Sequence, residues 1–178
     1  MIFKSLFIIP LLCLSLVAQD AKTTPTSPSP ILNELKGSLV QWDGKNLKKF
    51  DDLALASTQY FVFYYSAHWC PPCRAFTPKF VDFYNKQKPL HPQFEVVFVS
   101  SDRSEADMKE YMSITKMPWT ALQFSQIESK KKITDYAGPG IPCVVVVDRS
   151  GKVVANSFKG DEYVGPQKPL DDLLKLLK

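Results

Sequence analysis

Glycine, cysteine and histidine are all scarce in this chain of 178 residues. Seven glycines are too few and too scattered for a glycine-rich phosphate loop. Four cysteines do not make a disulfide scaffold. Two histidines, His68 and His91, leave too few ligands for a structural zinc site, which wants about four. No internal repeat is present. The formal charge is only +4, and the single tight basic cluster, Lys130–Lys132, reads as a solvated helix face, so no nucleic-acid partner is expected. The longest apolar run, Phe7 to Val17, is too short for a comfortable membrane span.

What is present begins with that run. Lys4 precedes it and Ala18 follows, the layout of a secretory signal over residues 1–18. Cleavage there would remove one lysine and lower the charge from +4 to +3. A membrane association is expected only if this segment is retained. Residues 19–34 contain Thr23-Thr-Pro-Thr-Ser-Pro-Ser-Pro30, which cannot build a core and reads as an extended tether. The folded domain is expected over residues 35–178, in an exported, periplasmic or otherwise extracytoplasmic protein.

Removal of Cys13 with the signal leaves Cys70, Cys73 and Cys143. The close pair lies in Trp69-Cys-Pro-Pro-Cys73, after an aromatic run and before a helical pattern. The start of a helix points free N–H groups and a partial positive charge at the first sulfur. A sulfur held there is stabilised as thiolate, the attacking species in disulfide exchange. A static disulfide spanning so few residues would add little stability, on the order of 2 kcal/mol or less. The stretch therefore reads as a redox-active dithiol that needs no metal or organic cofactor, because the sulfurs carry both electrons.

Along the domain, Ser38–Trp42 predicts a strand and Leu47–Leu55 a short helix. Tyr60–Ser66 and Phe94–Val99 lack alternation and predict strands buried on both faces. The helix after Cys70 should run to Lys86 and kink at Pro78. Asp102 or Ser104 can cap a helix over Glu105–Met112. Lys116–Gln123 reads as irregular, and Lys130–Tyr136 as a brief helix. Cys143–Asp148 and Lys152–Asn156 predict a hairpin, and Pro169 opens a last amphipathic helix. This order predicts an α/β fold, a three-layer sandwich with a mixed sheet between helices.

Four landmarks appear in order. They are Tyr64 to Pro78 around the dithiol, Val99-Ser-Ser-Asp102, Lys116-Met-Pro-Trp119 and Gly140-Ile-Pro142. Together they resemble the thioredoxin superfamily, in its tryparedoxin and nucleoredoxin branch, over nearly everything from Leu35 onward. The resemblance implies that Cys70 is an exposed nucleophile and Cys73 the resolving thiol. It places a cis-proline loop, Ile141–Pro142, against the sulfurs, where its backbone meets an extended substrate. Trp69 would form part of the contact rim. Disulfide-containing proteins or low-molecular-weight thiols would be the substrates of a monomer, with a separate electron donor. The branch donates electrons, which favours a reductase.

Some positions depart from the family pattern or carry two readings. Thioredoxin proper has a buried aspartate where this chain has Tyr64, so proton transfer from the resolving thiol needs another route. His68 either points to solvent or, when protonated, lowers the Cys70 pKa. Cys143 reads as a buried small hydrophobe or as a third thiol near the site. Trp119 reads as a core anchor or a substrate contact, and Asp102 as a cap. A peroxidase would want Thr or Ser where Ala67 stands. The rival class is a non-catalytic module that binds a partner, or a soft metal through Cys70 and Cys73.

Overall fold

A computed structural model describes residues 29–178. The expected signal segment and residues 19–28 of the expected tether lie outside the described residues. Helix α1 (Pro30–Leu35) moves the start of the folded part ahead of Leu35. Ser29 caps it through Leu32 N–H and donates its hydroxyl to the Arg149 carbonyl, while Ile31 and Leu35 are buried. The proline-rich composition concealed this helix, because Pro30 at its first position costs no hydrogen bond.

Four strands follow the expected pattern closely. They are β1 (Leu39–Trp42), β3 (Tyr60–Ser66), β4 (Phe94–Ser100) and β6 (Cys143–Asp148). Leu47–Leu55 is not one helix. It divides into β2 (Leu47–Lys49), paired to β1, and a 3-10 turn at Asp52–Leu55 capped by Asp51. Within the stretch read as irregular, Thr120–Leu122 forms β5, wedged between β1 and β4. Three residues show no usable periodicity, and only the pairing on both sides makes them a strand. With β7 (Val153–Asn156), the sheet order is β2-β1-β5-β4-β3-β6-β7. The β3–β4 and β4–β5 pairs are parallel, and the remaining pairs are antiparallel.

Side chains alternate across the central strands and fill two cores. On one face Val62, Tyr64, Val96, Phe98, Val144 and Val146 pack against helix α2 (Pro71–Gln87), α3 (Glu105–Thr115) and α5 (Gln167–Leu176). On the other, Phe61, Phe63, Tyr65, Val97, Val145 and Val147 meet α1 and the short α4 (Lys131–Thr134). This is the expected three-layer sandwich. Helix α2 continues through Pro78, and α5 begins two residues before Pro169. A small ribbon, β8 (Phe158–Lys159) with β9 (Glu162–Tyr163), stands apart from the main sheet.

Trp119 belongs to the core. It is fully buried, with Phe80 at 4.7 Å and Tyr84 at 5.5 Å between ring centroids. Trp69, by contrast, is 55% exposed. We predict that Trp119→Ala lowers the unfolding free energy by about 4 kcal/mol, through lost burial and an unfilled cavity. Trp69→Ala should change it by less than about 1 kcal/mol. Urea denaturation of both variants checks the contrast.

Candidate functional site: a dithiol at the start of α2

Strand β3 is central and ends at Ser66, so the chain emerges at the carboxyl edge of the sheet, where open α/β folds place their sites. A short turn then carries Ala67, His68 and Trp69 into α2. Three hydrogen bonds hold it. Ser101 N–H donates to the Ser66 carbonyl at 2.9 Å, His68 N–H to Asp102 Oδ1 at 2.7 Å, and Trp69 Nε1–H to the Ser101 carbonyl at 3.0 Å. Asp102 is therefore not the cap of α3. Ser104 takes that role through Asp107 N–H. Asp102 instead grips the turn before the dithiol and accepts the Ser100 hydroxyl at 2.8 Å. Sequence could not separate the two, since both residues are good caps.

Cys70 is the N-cap of α2 and is joined to Cys73 by a disulfide, with Cα atoms 5.2 Å apart. Pro71 and Pro72 fill the first two helical positions and bring no N–H. The first helical N–H available to the Cys70 sulfur is that of Cys73, at 3.3 Å. The pair differs in access as well. Cys70 keeps 3% of its surface and Cys73 none. Cys70 is thus less open than expected, because the loop across the site covers it. The Ile141 carbonyl lies 3.8 Å from its sulfur, and the Ile141–Pro142 bond is cis.

A groove of about 530 Å³ runs between the two walls. Trp69, Cys70, Pro71 and Pro72 line one side, and Gly138, Pro139, Gly140 and Ile141 the other. Larger in volume is a hollow of about 570 Å³ near Arg149, at the opposite end of β3, which no cysteine lines. Three of the five expected site residues, Trp69, Cys70 and Ile141, line the groove, and Cys73 lies buried beneath Cys70. Pro142 stands behind Ile141 and is not among its lining residues.

Behind Cys73 lies a buried chain of hydroxyls that the sequence reading missed. The Thr77 hydroxyl donates to the Cys73 carbonyl at 2.9 Å. Its one hydrogen is then committed, so the hydroxyls of Tyr64 (2.7 Å) and Tyr111 (2.5 Å) both donate to Thr77 Oγ1. Ser66 Oγ completes the chain, 3.1 Å from Tyr111. Burial pushes the Tyr64 phenol well above its usual pKa, so it stays neutral. Where thioredoxin proper carries an aspartate, this site carries neutral groups that anchor the first turn of α2. Thr77 was findable, since it stands four residues after Cys73 on one helical face. Tyr111 was not, because its role depends on how α3 packs.

His68 does not simply point to solvent. Its ring stacks on Tyr111 at 5.7 Å, half-buried. Cys143 is a free, fully buried thiol that burial pushes above its ordinary pKa, opposed by contacts with the Gly138 backbone and Ser157. Among the described residues, no group of three or more His, Cys, Asp or Glu is placed to hold a metal ion, and no helix is long and apolar enough to cross a membrane.

Comparison with known proteins agrees with this geometry. A family model described as Thioredoxin-like matches residues 58–153. Nucleoredoxin of Mus musculus is 37% identical over 131 residues, which are 73% of this chain and 29% of that protein. The chain therefore spans under a third of the length of that relative. Tryparedoxin of Trypanosoma brucei brucei is 41% identical over 86 residues, 48% of this chain and 58% of the relative. Among solved structures, native tryparedoxin I from Crithidia fasciculata is 37% identical with a TM-score of 0.57, covering 69% of this chain and 83% of its own. Tryparedoxin II complexed with glutathionylspermidine is 32% identical with a TM-score of 0.57, covering 70% of this chain and 87% of its own. With the buried dithiol facing a cis-proline loop, these matches establish that the chain belongs to the thioredoxin-like family, in its tryparedoxin and nucleoredoxin branch.

Proposed function

We propose that this protein is an exported thiol–disulfide oxidoreductase that reduces disulfides through Cys70 and Cys73. One observation carries the reading: a Cys70–Cys73 disulfide sits at a helix start, with Cys70 alone of the two reaching the groove. In the reduced protein the Cys70 thiolate attacks a partner disulfide. A Cys70–partner bond forms, the partner's own bond breaks, and one partner thiolate leaves. Cys73 then loses its proton and attacks the Cys70 sulfur. The mixed bond breaks, the Cys70–Cys73 bond forms, and the second partner thiolate leaves. Two electrons have passed to the partner, and an external dithiol donor must return them.

Substrates of two sizes fit an open groove walled by Trp69 and the Ile141 loop. An extended segment of a protein can lie along it, and a low-molecular-weight thiol can enter it. The second is supported by the relative solved with glutathionylspermidine. Export rests on the apolar stretch Phe7–Val17 and the residues flanking it.

Reduction of insulin with dithiothreitol as donor tests the reading. Cys70→Ser should abolish turnover. Cys73→Ser should instead accumulate a covalent adduct with the partner, visible on non-reducing gels. Activity surviving Cys70→Ser rejects the assigned nucleophile. A midpoint potential of about −270 mV supports a reductase, and one of about −120 mV reverses the direction.

Asp102 adds a pH dependence. Partial burial raises its carboxyl pKa, against the Ser100 and His68 hydrogen bonds that lower it. The folded state therefore holds the proton more tightly than the unfolded state. Stability falls as the pH rises from the ordinary carboxylate value through the raised one. Asp102→Asn keeps an oxygen for His68 N–H and cannot ionise. We predict that it gains stability relative to the unaltered protein between pH 4 and pH 7. Thermal melts across that range check the sign, and a gap that narrows with rising pH contradicts it.

A further inference from the structure

The second wall of the groove is the loop 138–142, and the structure shows what holds it from behind. Residues 157–163 touch it at two places and the strand that follows it at a third. Tyr163 donates its hydroxyl to the Pro142 carbonyl at 2.7 Å. The Phe158 ring occupies the space beside Gly138, where even a single added methyl group would overlap it. Ser157 Oγ accepts Val144 N–H at 2.8 Å and donates to the Val144 carbonyl at 3.1 Å, pinning the strand that the loop enters.

These contacts are made by one compact unit. Phe158 and Tyr163 are paired across the β8–β9 ribbon, and their rings lie 4.9 Å apart. Val164 N–H returns to the Ser157 carbonyl at 2.9 Å and closes the ribbon's base. The ribbon adds nothing to the main sheet and little to either core. Tyr163 is 48% exposed, so burial does not explain why its hydroxyl is committed inward. The unit also lies beyond residue 153, outside the part of the chain that the family model matches. Gly138 has an ordinary backbone conformation; the Phe158 ring, not a positive φ, demands a residue without a side chain.

We propose that residues 157–163 are a brace that fixes the substrate-docking loop, with Tyr163 and Phe158 as positioning residues for protein substrates. This rests on the reading that Ile141 offers its backbone to an extended partner. The Ile141 carbonyl lies 3.8 Å from the Cys70 sulfur, so a small displacement of the loop misaligns any partner docked on it. Neither positioning residue lines the groove. Their effect is therefore on recognition of a long substrate, and the chemistry of the sulfurs is left as it was.

The test compares insulin with bis(2-hydroxyethyl) disulfide, which is too short to engage the loop, using the full chain. Tyr163→Phe keeps the ring and removes one hydrogen bond. It should raise KM for insulin by about threefold to tenfold, the range one such bond supplies. The kcat for insulin, the rate with the short disulfide and the alkylation rate of reduced Cys70 should each change by less than about twofold. Gly138→Ala should raise KM for insulin at least as much, and adding Phe158→Leu should recover most of that loss. An unchanged KM in Tyr163→Phe overturns the brace. So does an equal loss with both substrates, or a Gly138→Ala defect that Phe158→Leu leaves untouched. Failure of the unaltered protein to reduce either disulfide would reject the oxidoreductase reading itself, which separates the two claims.

Discussion

Strand β3 is buried on both faces from Phe61 to Ser66, and the position of the dithiol follows from where it ends. A strand paired on both edges and covered on both sides cannot slide, because a shift of one residue would exchange its two sets of core side chains. The turn that leaves it is therefore rigidly anchored, and Ser101, Asp102 and Trp69 tie that turn to the end of β4. Cys70 arrives at the cap of α2 with no freedom to choose another place. Pro71 and Pro72 then remove two donors, so Cys73 supplies the first helical N–H that can face the sulfur.

The same geometry separates the two thiols by access alone. Three residues of helical progress sink Cys73 beneath the surface, where its carbonyl accepts the Thr77 hydroxyl and the hydroxyl chain lies behind it. That chain is satisfied by neutral donors, which avoids the desolvation cost of a buried carboxylate. It also joins β3, α2 and α3 through one oxygen, Thr77 Oγ1. Tyr111 reaches both sides of the dithiol, with its ring on His68 and its hydroxyl on Thr77.

The second wall of the site is built differently. The first rests on a strand buried in the core. The loop 138–142 rests on a half-exposed ribbon, with one tyrosine hydroxyl and one phenylalanine ring as its supports. A site with one fixed wall and one wall set by a peripheral element lets chemistry and recognition be altered separately.

Much of this was legible in the chain. The unbroken apolar runs of β3, β4 and β6 announced buried strands, and the spacing of Cys70 and Cys73 announced a dithiol at a helix start, because both signals are local. Elements that depend on distant partners were misread. Leu47–Lys49 and Thr120–Leu122 are too short to carry a period and become strands only through pairing with β1 and β4. Pro30 looked like tether until Ile31 and Leu35 found the second core. Asp102 looked like a cap until His68 was brought to it. Residue order and side-chain type determined the reactive pair and the layers around it. Only the tertiary structure decided how closely the Ile141 carbonyl covers the Cys70 sulfur, which hydroxyls gather behind Cys73, and what stands behind the loop. Those outcomes depend on contacts between residues 13 to 71 positions apart, which no local pattern encodes.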